Sequence, residues 1–199
     1  MKEILNRAKA MILKPLETWQ TVKTENATIQ QLFIDYAAPL ALIPFVAALI
    51  GLSIVGIRMP AGHLARAPFF EALTGGVVGY IFHLLGLLAG AWAVTVLAPY
   101  LNSKSDFTSS VKLIVFSMTP IWLLGALSAF PGLGILQIFG LYSIYLIYLG
   151  LPILLDTPKE KVLWFTVIFM IAWFVISLIL GLFVYGAVNG PMLMRMMAS

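Results

Sequence analysis

The chain has 199 residues, of which 61% are hydrophobic and 10% charged, against roughly 25% charged in an average soluble domain. Mean hydropathy is +1.01. A small globular core cannot hide that much apolar surface, and a disordered chain has the opposite composition, so a polytopic membrane protein remains.

Net charge is +4, with 12 Lys and Arg against 8 Asp and Glu. The cations are dispersed among apolar segments. They read as orienting charges and headgroup contacts, and no nucleic-acid partner is expected. The chain contains no cysteine, which excludes disulfides, thiolate metal sites and cysteine nucleophiles.

Residues 1–35 are expected to form a cytoplasmic, amphipathic N-terminal segment. Ile4, Leu5, Ala8, Met11 and Ile12 recur at helical spacing among Lys2, Arg7, Lys9 and Lys14, and Pro15 limits the helix. Such a helix suits the membrane interface, with its cations at anionic headgroups. Packing on the ends of a bundle is the compatible alternative. Trp19 is expected as an interfacial anchor. No cleavable signal pattern is expected here, since the segment lacks a long apolar core.

About 20 apolar residues cross roughly 30 Å of hydrocarbon. The stretches between charges predict five spans, at 36–57, 73–98, 111–130, 133–155 and 162–188. They should be helices, because each must satisfy its own backbone in lipid. The fold class is therefore all-α: five transmembrane helices and a short N-terminal amphipathic interfacial helix. Residues 36–188 form the membrane domain and 189–199 a short non-cytoplasmic tail. Only Pro131-Gly132 divides spans three and four, which predicts a tight helical hairpin.

Nine cations fall on the N-terminal side: Lys2, Arg7, Lys9, Lys14, Lys23, Lys104, Lys112, Lys159 and Lys161. Three fall opposite, Arg58, Arg66 and Arg195. The positive-inside rule then predicts a cytoplasmic N-terminus and an outside, periplasmic C-terminus. The loop of residues 58–72, with Pro60, His63, Arg66, Pro68 and Glu71, is too short for a soluble module.

Span two carries Gly75, Gly79, Gly86 and Gly90, at offsets of 0, 4, 11 and 15. At about 100° per residue they share one narrow face. Two small-xxx-small units of this kind predict close helix packing, inside the bundle or in a homodimer. His83, at the edge of that face, is the ionisable side chain deepest in a span. It reads either as a proton-linked or ligand-binding residue or as a neutral imidazole bonded to a neighbouring helix. Pro39 and Pro44 are placed in the first turns of span one, Pro99 at the close of span two and Pro152 near the end of span four. Pro120 should kink span three, with Ser117 and Thr119 near enough to satisfy freed carbonyls. Tyr142, Tyr145, Tyr148 and Gln137 are further polar candidates in span four. They are expected to bond between helices or to line a polar cavity.

There is no HExxH, no GxSxG and no phosphate-binding Gly-rich loop. No carboxylate pair lies at depth. Neither an enzyme activity nor a cofactor or metal site is expected.

The order of several motifs resembles the Yip family of integral membrane proteins, in its bacterial branch. Asp35-Tyr36-Ala37-Ala38-Pro39-Leu40 is similar to the family's Asp-Leu-Tyr-Gly-Pro element, with Asp35 and Pro39 as the matching ends. Phe116-Ser117-Met118-Thr119-Pro120 resembles its Gly-Tyr-Ser-Leu-Leu-Pro element through Ser117 and Pro120, without the Gly-Tyr start. Lys14-Pro15-Leu16-Glu17-Thr18-Trp19 looks like the Pro…Trp element of bacterial members. Residues 142–161 resemble the fourth span and its following turn. The resemblance covers most of 10–188. It implies a non-enzymatic membrane organiser or adaptor in the bacterial inner membrane, acting on lipids or other membrane proteins. Eukaryotic members engage prenylated Rab GTPases, a role that a short N-terminal segment and a bacterial cell do not support. The alternative from the residues is a small-solute or ion permease using His83, Tyr145 and the Pro120 kink.

Overall fold

The computed structural model describes the backbone of residues 2–58 and 64–197, and side chains within these except at 57–58, 64–65, 131, 134 and 187–197. Five helical stretches are long and apolar enough to cross a membrane: Ile29–Val55, Phe69–Leu97, Phe107–Ala129, Ile135–Leu154 and Lys159–Gly186. We call them spans one to five. His63 and Pro60 of the expected outer loop lie outside the described residues.

Two helices precede the spans, α1 (Lys2–Leu13) and α2 (Pro15–Thr24). Pro15 takes the first turn of α2, where its missing N–H has no helical partner to lose. Pro15 therefore starts a second helix as well as ending the first. Ala8, Met11, Trp19 and Val22 are fully buried, so both helices pack on the bundle. Trp19 is turned into the bundle rather than outward. Its ring meets Phe116 edge-on at 6.2 Å and lies over Gly150, where an added Cβ would come within 3.0 Å of it. The glycine leaves the hollow that holds the indole.

Span one begins seven residues earlier than expected. Thr28 and Gln31 form a capping box, which satisfies free N–H groups at the helix start. Pro44 consequently falls inside helix α4 (Ala38–Ile50) rather than in a first turn. Short π-helical segments stand on either side of it, Phe33–Ala37 and Gly51–Val55. Gly56 closes the span with φ 85°, a backbone region that glycine enters without steric cost. Strands β1 (Ile57–Arg58) and β2 (Leu64–Ala65) pair antiparallel beyond it.

Span two is one helix, α5 (Phe69–Leu97), and Pro99 opens the turn that follows. Span three comprises α6 (Phe107–Ser117), α7 (Thr119–Leu124) and a 3-10 turn to Ala129. Asp106 caps α6 by accepting from the Ser109 N–H at 2.8 Å. The chain reverses at Phe130, and a 3-10 helix, Pro131–Leu141, leads into α8 (Tyr142–Leu154). The expected hairpin is present. Span five belongs to α9 (Lys159–Met197), which runs past the expected end at Val188.

Span three is the centre of the bundle. Every residue from Val111 to Thr119 is buried, enclosed by α1 and spans one, two and four. Span five packs on spans two and four and presents Phe174, Leu178, Leu182 and Phe183 outward, as a lipid-facing helix should.

Candidate functional site: a polar and aromatic column beneath the N-terminal helices

Pro120 has no N–H, so the Phe116 carbonyl loses its partner one turn back. The Thr119 hydroxyl replaces that partner, donating to Phe116 O at 2.7 Å. With its proton engaged there, Thr119 Oγ1 accepts from the Tyr36 hydroxyl at 2.8 Å. The proline break thus creates the bond that ties span three to the π-helical segment of span one. Ser117 plays no such part. It is fully buried and its hydroxyl has no partner among the described residues.

A column of rings grows from this bond. Tyr36 packs on Phe116 at 4.5 Å and approaches Trp122 edge-on at 6.3 Å. Trp122, one turn beyond the break, donates its indole N–H to Nε2 of His83 on span two at 2.8 Å. An accepting Nε2 carries no proton, so the imidazole is neutral with its hydrogen on Nδ1. At the other end Arg7 of α1 lies over Phe116 at 4.6 Å and over Tyr36 at 5.9 Å. Its guanidinium also pairs with Glu25. A cation held on ring faces and by a carboxylate pins α1 to the bundle.

Two clefts meet this column. One, of about 630 Å3, opens at the N-terminal face and is lined by Glu3, Arg7, Glu25, Gln31, Asp35 and Tyr36. The other, of about 500 Å3, lies between spans one and two and is lined by Phe45, Gly75, Gly79, Tyr80, His83 and Trp122. Tyr36 and Trp122 stand between them.

The four span-two glycines do not act alike. An added Cβ at Gly90 would overlap the Trp173 ring of span five, and one at Gly86 would sit 3.1 Å from Leu180. These two make a close helix contact within the chain. Gly79 has nothing within 4 Å of such a Cβ, and it borders the second cleft with Gly75. Gly76, which the glycine spacing passed over, lies against Phe45.

The span-four groups stand apart from His83. The Tyr142 hydroxyl donates to the Ile12 carbonyl at the end of α1, 2.9 Å away. Tyr145 is half exposed beside Tyr142, and Gln137 donates to the Ser128 hydroxyl at 2.9 Å. Of the family-motif positions, Asp35 is exposed on the rim of the first cleft and Pro39 sits in the first turn of α4.

Sequence reasoning missed Lys112. Counted among the orienting cations at the edge of span three, it is buried in α6, where its ammonium donates to the carbonyls of Val22 at 3.0 Å and Glu25 at 2.6 Å. It caps the C-terminal end of α2, where a positive charge is favoured. The available signal was a lysine interrupting an otherwise apolar run, Val111–Phe116.

The N-terminal face is also stitched through Asp156, which adopts φ 48° at the end of span four. It pairs with Lys104 of the loop after span two and, at 2.9 Å, with Lys23 of α2. Hydrogen bonds from Lys104 and Lys23 hold its carboxyl below the usual carboxylate range, and the Asp156 partner raises Lys104. Asp106 is lowered first by its bond to Ser109. Nearby, Ser103 donates to the Thr157 hydroxyl and the Lys104 N–H to the Leu155 carbonyl. No metal-binding group of three or more His, Asp or Glu occurs among the described residues.

A five-helix membrane bundle, with its N-terminal helices docked over a central proline-broken span, is the class this geometry defines. The Yip1 domain family model matches residues 9–183, and the chain belongs to that family. It is similar to Inner membrane protein YohC of Escherichia coli strain K12, at 25% identity over 156 residues, covering 76% of this chain and 80% of the relative. The protein of the same name from E. coli O6:H1 strain CFT073 matches to the same extent. No solved structure matches.

Proposed function

We propose that the chain is a non-enzymatic organiser or adaptor of a bacterial inner membrane, acting through contacts with lipids or other membrane proteins. One observation carries the reading: the middle of the bundle is filled by span three, buried from Val111 to Thr119. Three of the polar groups that a path could use are engaged elsewhere. His83 accepts from Trp122, Tyr142 bonds the end of α1 and Gln137 bonds Ser128. A permease would have to part Tyr36 from Trp122 to join the two clefts.

In this reading the N-terminal face is cytoplasmic and meets anionic headgroups with Lys2, Lys9 and Lys14. The inner-membrane name of the relative supports the choice of membrane and leaves the orientation to experiment. The edge of span two at Gly79, open within one chain and bordering a cleft with Gly75, would supply a place for another helix, from a partner or a second copy.

Proteoliposomes decide between organiser and permease. Background flux of protons and small solutes is expected from both the natural chain and His83→Ala. Reproducible flux abolished by His83→Ala would overturn the adaptor reading. Orientation is read separately. The chain has no cysteine, so Lys104→Cys and Arg66→Cys give clean labelling sites. Labelling at 66 and not at 104 by an impermeant reagent on intact spheroplasts is expected.

A further inference from the structure

A third cleft, of about 490 Å3, lies between spans three, four and five, away from the His83 column. Ile121, Ile144, Phe169, Met170 and Trp173 are among the residues of its wall, and Ser143 also lines it. Ser143 is 3% exposed, and its hydroxyl has no hydrogen-bond partner among the described residues. Buried hydroxyls are normally bonded, because an unpaired one keeps the full cost of leaving water. Water is a poor partner here, since it needs several polar neighbours, and the other two polar side chains of a mainly apolar wall, Gln137 and Ser128, bond each other.

Depth narrows the ligand. Ser143 is the ninth of the 20 residues of Ile135–Leu154, which puts it near the bilayer midplane. A charged headgroup is costly there, and no basic residue lines the cleft to offset it. Phe169 and Trp173, with centroids 6.0 Å apart and planes at 37°, form an aromatic wall that Met170 also lines. Rings pack well on both.

We propose that this cleft binds an uncharged membrane lipid whose carbonyl oxygen accepts a hydrogen bond from Ser143. Two sources share that chemistry, a prenylquinone and a free diacylglycerol. The aromatic wall favours the quinone ring. The site is independent of the adaptor reading, because binding requires neither a protein partner nor flux.

The test uses the full chain in neutral detergent. Decylubiquinone is titrated against tryptophan emission, which a quinone stacked near Trp173 quenches. Dioleoylglycerol and phosphatidylethanolamine are compared by native mass spectrometry. Saturable quenching is expected, at least fivefold weaker in Ser143→Ala. That variant should melt no lower in lipid-free detergent, since it removes a hydroxyl without a protein partner. Ile138→Trp, which crowds the cleft from an exposed position, should also weaken binding. Retention of dioleoylglycerol alone, lost in Ser143→Ala, would support the site and assign the ligand to the chain source. The proposal falls if neither neutral lipid binds saturably, if Ser143→Ala binds as well as the natural chain, if that variant melts lower, or if phosphatidylethanolamine is preferred.

Discussion

The indole N–H of Trp122 points at Nε2 of His83 across 2.8 Å, joining span three to span two. The bond accounts for the ionisable residue that stands out in the sequence of span two, and it requires a neutral ring. Trp122→Phe keeps the ring packing and deletes the donor. It should lower stability by about 1 kcal/mol, the usual net worth of one hydrogen bond, seen as a lower melting midpoint in detergent. His83→Ala in the Trp122→Phe background should cost clearly less than in the natural chain. Additive losses would show that the two side chains are not coupled.

Lys112 holds two carbonyls at the end of α2 with a buried ammonium. Bonds to charged groups are worth roughly 1.5–3 kcal/mol. Lys112→Met keeps much of the length and removes the charge, so α2 should detach more readily while the spans stay folded. Hydrogen exchange at residues 15–24 should accelerate by about tenfold or more, with 1.4 kcal/mol per factor of ten. Exchange in span five should not change.

Asp156 gives the N-terminal face a defined pH window. Its carboxyl is lowered in the folded chain. Its contribution is therefore complete above the unfolded value of about 3.9 and is lost as pH falls through the lowered folded value. Lys104 is raised, so its share is complete below about 10.4 and lost as pH rises through the raised value. Protection of the loop of residues 102–106 should be flat between these limits and fall outside them. Asp156→Asn should reduce it at neutral pH and remove its acid limb. Both pairs are partly exposed, so 1 M salt should shrink the difference, with a screening length of about 3 Å.

Gly90 and Gly79 should respond oppositely to the same change. Gly90→Ala drives a methyl into the Trp173 ring, and overpacking of this kind typically costs 1–3 kcal/mol. Gly79→Ala enters open space and should leave the melting midpoint of the monomer within error. If Gly79→Ala lowers crosslinking between copies or to a partner while the fold stays intact, the open edge of span two is an interface.

The number and order of spans could be read from the sequence because a 30 Å apolar layer imposes length and hydropathy on each crossing. The hairpin at Phe130 and the break at Pro120 could be read because proline removes a donor wherever it stands. Trp19 and Lys112 were misplaced for one shared reason. A tryptophan near a helix end and a lysine at a span edge usually face the interface. Here the hollow over Gly150 and the unpaired carbonyls of α2 draw them inward, and neither feature exists until the chain is folded. The glycine spacing in span two showed a face but not which helix meets it. Only packing separates Gly86 and Gly90, against span five, from Gly75 and Gly79, which border a cleft.

Span three carries Ser110, Lys112, Ser117 and Thr119, all buried against protein rather than lipid. Left alone in hydrocarbon after synthesis, it would expose four polar side chains. When it emerges, spans one and two are the neighbours already made, and they supply Tyr36 for Thr119 and Thr95 for Ser110. The hairpin then carries span four over a remaining face. Partners for two of these side chains thus lie in spans that precede span three in the chain, so insertion in chain order would meet them before span four is made.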